Sequence, residues 1–146
     1  MAFAGFNPDG DLPPGIHSAS LAEAVDHFGK ATNQRALLAT RLERVHQLAQ
    51  ETGNLARFVV FGSFVTDKSK PNDVDIFIIM DDNFGVAKLA GESRLLFDHE
   101  RAQAHFGCSV FWVRRLAALG GEEAAIVHWQ IKRNGGRRGI VEITAD

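Results

Sequence analysis

Two apolar runs joined by a polar loop constrain the fold of this chain more than any other feature. The first run, at residues 57–61, ends in Gly62-Ser63, and the second, at residues 73–80, opens with Asp-Val-Asp. The loop between them contains three charged residues, a proline and an asparagine. Apolar runs bounded by turn residues are typical of buried β-strands. The pattern therefore predicts two buried strands joined by a loop.

Asp75 lies within the second run, where the residues on both strand faces are apolar. A carboxylate in such surroundings costs several kcal/mol unless another group compensates its charge. Asp73 projects from the same face, about 6.5 Å along the strand. Two carboxylates placed in this way suit Mg²⁺ or Mn²⁺, and Mg²⁺ is commonly held by one or two carboxylates plus phosphate oxygens. We therefore predict Asp73 and Asp75 as metal-binding catalytic residues. The alternative is a fold-stabilising ion pair between Asp75 and an arginine.

The Gly62-Ser63 pair has the composition of a phosphate-binding corner. Glycine lets a backbone N–H approach a phosphate closely, and a helix that begins just after it would add its positive end. The Ser63 hydroxyl can bond a terminal phosphate. We therefore predict Gly62 and Ser63 as nucleotide-binding residues.

Composition indicates one soluble globular domain. The chain has 146 residues, 45% of them apolar and 23% charged, and its formal net charge is -2. The charge gives no global positive field for nucleic-acid binding, although local basic patches remain an option. One cysteine excludes an internal disulfide, and no apolar leader or run of about 18 residues is present. We expect a cytoplasmic protein that does not bind membranes.

The remaining segments predict an α/β domain with a short mixed sheet of about four strands flanked by helices. Residues 1–18 are rich in Gly, Pro and Asp and predict an extended arm, followed by the domain at 19–146. The Ser20-x-x-Glu23 pattern of a capping box begins a helix that ends at Gly29. Further helices are predicted at 32–52, 92–105 and 122–133, and further strands at 108–113 and 138–144.

Basic residues form three groups whose role is ambiguous from sequence. The loop lysines Lys68 and Lys70 are close enough in sequence to Gly62-Ser63 to reach a bound triphosphate. The group at residues 132–138 fits either a phosphate-binding patch or a solvated turn. The arginines of the long helix, among them Arg35 and Arg44, fit either a polyanion site or, by preference, a solvated face.

The Gly62-Ser63 pair, followed after nine residues by Asp73-Val74-Asp75, resembles the signature of the nucleotidyltransferase (polymerase beta-like) superfamily. The resemblance implies that Gly-Ser opens a helix and that the acid pair binds divalent metal. The Leu-Pro-Pro-Gly-Ile-His segment at 12–17 and the closing residues 139–143 extend it to nearly the whole chain from Leu12. They are similar to a small bacterial and phage family of nucleotidyltransferase-like proteins of unknown function.

The resemblance implies a Mg²⁺-dependent nucleotidyltransferase that moves a nucleoside monophosphate from a nucleoside triphosphate such as ATP to a hydroxyl of a protein or nucleic-acid acceptor. The wider group includes antitoxin-type proteins that transfer AMP to a partner toxin, which makes a toxin-like protein a candidate partner. Active members usually carry a third carboxylate on the next strand, but residues 108–113 contain no acid. Glu142 is a candidate replacement. The alternative is a catalytically degenerate member that binds nucleotide, nucleic acid or a partner protein.

Overall fold

A computed structural model describes residue 3 and residues 5–144 of the chain. Within these residues, five strands form one mixed sheet: β1 (Ile16–Ala19), β2 (Leu55–Phe61), β3 (Val74–Met80), β4 (Cys108–Arg114) and β5 (Ile140–Ile143). Their order across the sheet is β1-β5-β2-β3-β4. β2 is antiparallel to both of its neighbours, whereas β1 is parallel to β5 and β3 is parallel to β4. The predicted α/β class and mixed sheet are confirmed.

The sheet has five strands, whereas the sequence predicted about four. The additional strand, β1, pairs in register with β5 from Ile16 with Ile140 to Ala19 with Ile143. It has only four residues and follows Pro13-Pro14-Gly15, so its sequence carries no clear alternation of apolar and polar residues. The strand forms because β5 offers it a parallel partner, which is tertiary information.

In the described part of the chain, five α-helices flank the sheet: α1 (Leu21–Phe28), α2 (Asn33–Glu51), α3 (Glu92–Leu96), α4 (His99–Phe106) and α5 (Glu122–Val127). The predicted capping box at α1 is present, since Ser20 accepts a hydrogen bond from the Glu23 backbone and Glu23 accepts one from the Ser20 backbone. Thr32 caps α2 through its hydroxyl.

Two predicted helices are interrupted. The helix expected at 92–105 is divided into α3 and α4, because Asp98 has an extended backbone and its side chain caps α4. The helix expected at 122–133 ends at Val127 and continues as a 3₁₀ turn to Gln130. Ile131 then forms a bridge with Arg137, which makes residues 131–137 a hairpin.

The sheet is buried on both faces, which explains why β3 is almost continuously apolar. One face packs against α1 to α4, and alternate residues of the strands, including Ile76, Ile78 and Val110, belong to this larger core. The other face packs against α5 and contains Val59, Phe77 and Ile79. Burying each such side chain contributes about 1.5–3 kcal/mol to folding. In the part of the chain that the structure describes, no helix is both long enough and apolar enough to cross a membrane.

Candidate functional site

The acid pair lies at the end of the sheet where β2 finishes and β3 and β4 begin. Asp73 directly precedes β3, and Asp75 is its second residue. In the sheet register, Asp75 lies opposite Phe61 on β2 and Ser109 on β4. Because Asp75 shares its strand face with Phe77 and Ile79, it belongs to the face covered by α5. The strand ends therefore hold both carboxylates at one edge of an otherwise apolar layer.

Gly62 touches Asp75. A Cβ atom added at Gly62 would lie 2.0 Å from Asp75 Oδ2, and the glycine has φ = +78°. Both the positive φ and the lack of space beside Asp75 exclude a side chain at this position. The fold thus brings together the Gly-Ser pair and the acid pair, which are separated by nine residues in the sequence.

The helix expected after Gly62 is a single 3₁₀ turn, Ser63–Val65. A turn of this length has too few aligned peptide groups to supply the positive end of a helix dipole. The expectation of a helix N-terminus at Gly62-Ser63 is therefore wrong. Any phosphate held at this corner would bind to the Ser63 hydroxyl, to nearby backbone N–H groups and to cationic side chains.

Burial and the neighbouring charge control the ionisation of Asp75. Desolvation, followed by the negative charge of Asp73 and a hydrogen bond between the two carboxyl groups, raises the pKa of Asp75 to about 6. Arg138 and a hydrogen bond from Ser109 act in the opposite direction. Asp75 forms no ion pair with an arginine or lysine among the described residues. The alternative in which Asp75 is a fold-holding partner of an arginine therefore finds no support.

Ser109 occupies the place on β4 where a third carboxylate was sought. Its hydroxyl lies 3.0 Å from Asp73 Oδ2 and 2.8 Å from Gln103 Oε1. A hydroxyl carries one proton, so it donates to one of these acceptors at a time. Strand β4 thus contributes a neutral hydrogen-bond donor beside the acid pair.

Glu142 does not complete the site. Its two carboxylate oxygens each accept a hydrogen bond of 2.7 Å from Arg57, from Nε and one terminal nitrogen. In the sheet Glu142 lies opposite Val59, two residues before Phe61 on β2, whereas Asp75 lies opposite Phe61. Arg57 and Glu142 line a separate cavity of about 710 Å³. The suggestion that Glu142 replaces the missing carboxylate is wrong, because Arg57 engages it elsewhere.

The acid pair opens into a polar cavity of about 980 Å³ at this end of the sheet. Ser63, Asp73, Asp75 and Ser109 form part of its wall. The lining also includes cationic and further acidic side chains: Lys68, Lys132, Arg133, Arg138, Asp9, Asp11 and Asp67. The basic group at 132–138 thus lies beside the acid pair, 57 or more residues away from it in sequence. Lys70, in contrast, is not among the lining residues.

Two residues that shape this cavity were not recognised from sequence. Arg35 is 3% exposed and donates hydrogen bonds to the backbone carbonyls of Phe28, Phe64, Thr66 and Lys68. The preferred interpretation of Arg35 as part of a solvated helix face is therefore wrong. Its position three residues after the capping Thr32, at the start of α2, gave no signal of burial.

Asp11 is the second unrecognised residue. It is 4% exposed and forms an ion pair of 2.8 Å with Lys132, and Arg138 lies 3.6 Å from its other oxygen. The backbone of the same segment joins the loop after Ser63, since Asp67 N–H donates to the Gly10 carbonyl. The N-terminal arm is therefore part of the cavity wall.

Asp73 and Asp75 are the residues of this cavity that could hold a divalent cation. Within residues 3 and 5–144, no group of three His, Cys, Asp or Glu side chains is arranged to bind a metal. Two carboxylates still fit Mg²⁺ when phosphate oxygens and water supply its other ligands. A cation would also relieve the repulsion that raises the pKa of Asp75.

The fold and the cavity define an α/β protein with an acid pair and a cationic hairpin at one end of a mixed sheet. The chain belongs to the Family of unknown function (DUF6932), which it matches over residues 4–144. Comparisons with curated proteins and with solved structures gave no significant match.

Proposed function

We propose that this protein is a Mg²⁺-dependent nucleotidyltransferase that uses a nucleoside triphosphate and transfers its nucleoside monophosphate to a hydroxyl of a protein or nucleic acid. The observation that carries the proposal is the contact between Gly62 and Asp75. It places a glycine-serine corner, two carboxylates and several cationic side chains around one cavity. This combination suits a polyphosphate that arrives with a divalent cation.

The cationic residues of the hairpin and Ser63 would bind the phosphates. Lys132 and Arg138 already lie close to the carboxylate of Asp11, which is an anionic oxygen group like a phosphate. Arginine and lysine bind phosphate oxygens through charge-assisted hydrogen bonds. These side chains would orient the triphosphate along the cavity and offset the charge that develops on the leaving pyrophosphate.

Asp73 and Asp75 would hold Mg²⁺ or Mn²⁺, with Ser109 orienting Asp73. When bound, such an ion neutralises charge on the phosphate oxygens around the reacting phosphorus. The acceptor oxygen forms a bond to the α-phosphorus as the bond to the pyrophosphate oxygen breaks, pyrophosphate leaves, and the hydroxyl proton passes to solvent water. The chain's own contribution is to align the two oxygens in the cavity. A bound cation would favour the ionised form of Asp75, whose pKa burial and Asp73 raise.

Radiolabelled nucleotides test the proposal. The protein is incubated with each α-labelled nucleoside triphosphate, Mg²⁺, and RNA or candidate partner proteins as acceptors. We expect Mg²⁺-dependent labelling of an acceptor by the wild type and its loss in Asp75→Asn. Labelling that survives this substitution would refute the assignment of Asp75.

The presence of Ser109 on β4 favours a second candidate function, a catalytically degenerate module that binds nucleotide, nucleic acid or a toxin-like partner protein. A second metal ion, about 4 Å from the first, normally needs a further ligand, and a hydroxyl stands where that carboxylate would lie. Calorimetry separates the two candidates. Nucleotide binding without transfer to any acceptor supports the module, whereas transfer supports the enzyme.

A further inference from the structure

An aromatic surface continues from the acid pair along the same face of the sheet. Phe61 lies opposite Asp75 on β2, and Phe111 lies two residues beyond Ser109 on β4, so both share the face of Asp75. Trp129 packs against both rings, with centroids 4.4 Å from Phe61 and 5.0 Å from Phe111. The interplanar angles are 31° and 33°, so the rings lie at shallow angles to one another.

Phe111 is the exposed member of this surface. It is 36% exposed and belongs to neither of the two cores, whereas its neighbour Phe77 is buried. Beside it lies an apolar cavity of about 380 Å³ that His99, Phe111 and Trp129 help to line. Ser109, two residues before Phe111 on β4, lines the polar cavity of the acid pair. An exposed aromatic ring at this distance from the polar cavity offers a flat apolar surface to a planar ligand.

The distance across the sheet from β5 to β4 is comparable to the length of a nucleotide. The cationic residues precede β5, the acid pair lies on β3, and Ser109 and Phe111 lie on β4. With a strand spacing of about 4.8 Å, the three steps from β5 through β2 and β3 to β4 span roughly 14 Å. A triphosphate bound at the cationic end and at the acid pair would thus extend its base toward β4.

We infer that the surface formed by Phe61, Phe111 and Trp129 binds the nucleobase of the nucleoside triphosphate by stacking. This inference rests on the proposed function, because it assumes that the phosphates lie in the cavity of Asp73 and Asp75. Stacking on aromatic rings is tolerant of base identity, since every base has a π-face. The site would therefore recognise a base as such and gain affinity over a bare polyphosphate.

Calorimetric titration with two probes tests the inference: each Mg²⁺-nucleoside triphosphate and Mg²⁺-tripolyphosphate, which has no base. Phe111→Ala should weaken nucleotide binding about tenfold and leave tripolyphosphate binding unchanged. Phe111→Trp should restore nucleotide affinity. The matched control is Leu119→Ala, which removes a 90% exposed side chain from the nearby loop and should change neither affinity. Phe111→Leu retains apolar packing and serves in place of Phe111→Ala if that variant does not fold.

The outcomes separate this inference from the proposed function. Suppose that the wild type binds both probes, and that each Phe111 variant either leaves the affinity for both probes unchanged or weakens it by the same factor. Stacking at Phe111 is then overturned while the phosphate site stands. If the wild type binds neither probe, the proposed function fails and the inference fails with it. If Phe111→Ala and Leu119→Ala both changed the oligomeric state in solution and left nucleotide affinity unchanged, the surface would be assigned to protein contacts. That result would overturn the inference.

Discussion

At the scale of single residues, the contact between Gly62 and Asp75 determines the geometry of the cavity. The glycine combines a positive φ with an approach that leaves no room for a Cβ atom. Gly53 also has a positive φ, +74°, but nothing lies within 4 Å of its added Cβ. Alanine substitutions at the two positions can therefore separate two costs. The substitution at Gly53 measures the cost of the backbone conformation, and the substitution at Gly62 adds the cost of the contact with Asp75.

Gly62→Ala should lower the free energy of unfolding by about 3 kcal/mol or more, because it adds a clash to backbone strain of about 1–3 kcal/mol. Gly53→Ala should cost only about 1–2 kcal/mol. Urea denaturation measures both. If the contact is the cause, the double variant Gly62→Ala, Asp75→Ala will be less destabilised than the sum of the single variants. If the losses of stability in the two single variants instead add up to the loss in the double variant, Asp75 does not restrict the side chain at position 62.

Asp75 should also make stability depend on pH. Its pKa in the folded protein is about 6, above the value of about 3.9 expected in the unfolded chain. The folded protein therefore binds the proton more tightly. The stability that this proton provides is fully present below about pH 4 and is lost as the pH rises through about 6.

Asp75→Asn should accordingly be more stable than the wild type above pH 7, by roughly 2 kcal/mol after allowance for partial solvent screening. The difference should shrink toward zero near pH 4. Urea denaturation of both proteins in metal-free buffer across pH 4–8 measures it. An Asn variant that is equally stable or less stable at pH 7.5 would contradict a raised pKa at this residue.

At the scale of elements, the start of α2 holds the loop that joins β2 and β3. Arg35 bonds carbonyls at residues 28, 64, 66 and 68, and Gln34 donates to the Pro71 carbonyl. Buried carbonyls need donors. Here a helix side chain supplies them, because among the described residues the only sheet-like pairing of this loop is the isolated bridge between Thr66 and Asp11. The loop conformation that places Ser63 in the cavity thus depends on α2.

Arg35→Met should lower the free energy of unfolding by at least about 3 kcal/mol, since it leaves several buried carbonyls without a donor. It should also weaken Mg²⁺-nucleotide binding by releasing the loop. The control on the same helix is Arg44→Met, which removes an exposed pair with Glu92 and should cost less than about 1 kcal/mol. Equal effects of the two substitutions in urea denaturation would show that Arg35 is not a structural anchor.

At the scale of the whole molecule, the segment around Asp11 and the hairpin at residues 131–137 meet at the cavity. Asp11 pairs with Lys132, 121 residues away, and β1 pairs with β5. Leu12 is fully buried beside this ion pair. The arm and the C-terminal hairpin therefore hold each other in place, and together they form the cationic side of the cavity.

Asp11→Asn should destabilise the protein by about 1–3 kcal/mol, because it leaves Lys132 without its buried partner. Asp26→Asn is the control, since Asp26 forms an exposed pair of 3.0 Å with Lys30 and should contribute less than about 1 kcal/mol. Thermal unfolding at low and high salt compares them. A loss for Asp11→Asn no greater than that for Asp26→Asn would argue against a structural role of the pair.

Local patterns predicted most of the elements. The capping box at Ser20 and the apolar runs of β2, β3 and β4 each depend on neighbouring residues, so they can be predicted from the sequence. The acid pair was predicted in the same way, since residues two apart on a strand share a face. These features need no knowledge of distant partners.

Long-range partners decided the rest. Three ionisable residues lie in ordinary local sequence: Arg35, Asp11 and Glu142. Their partners are backbone carbonyls for Arg35, Lys132 for Asp11 and Arg57 for Glu142. These partners lie between 7 and 121 residues away in the sequence. The strand β1 forms only because β5 is available to pair with it. The sequence alone determined strands β2 to β5, the capping box at Ser20 and the two carboxylates, because backbone geometry and nearby side chains govern these. Only the tertiary structure decided which charges face the cavity, because burial and pairing of a charge depend on groups that the chain brings together from its two ends.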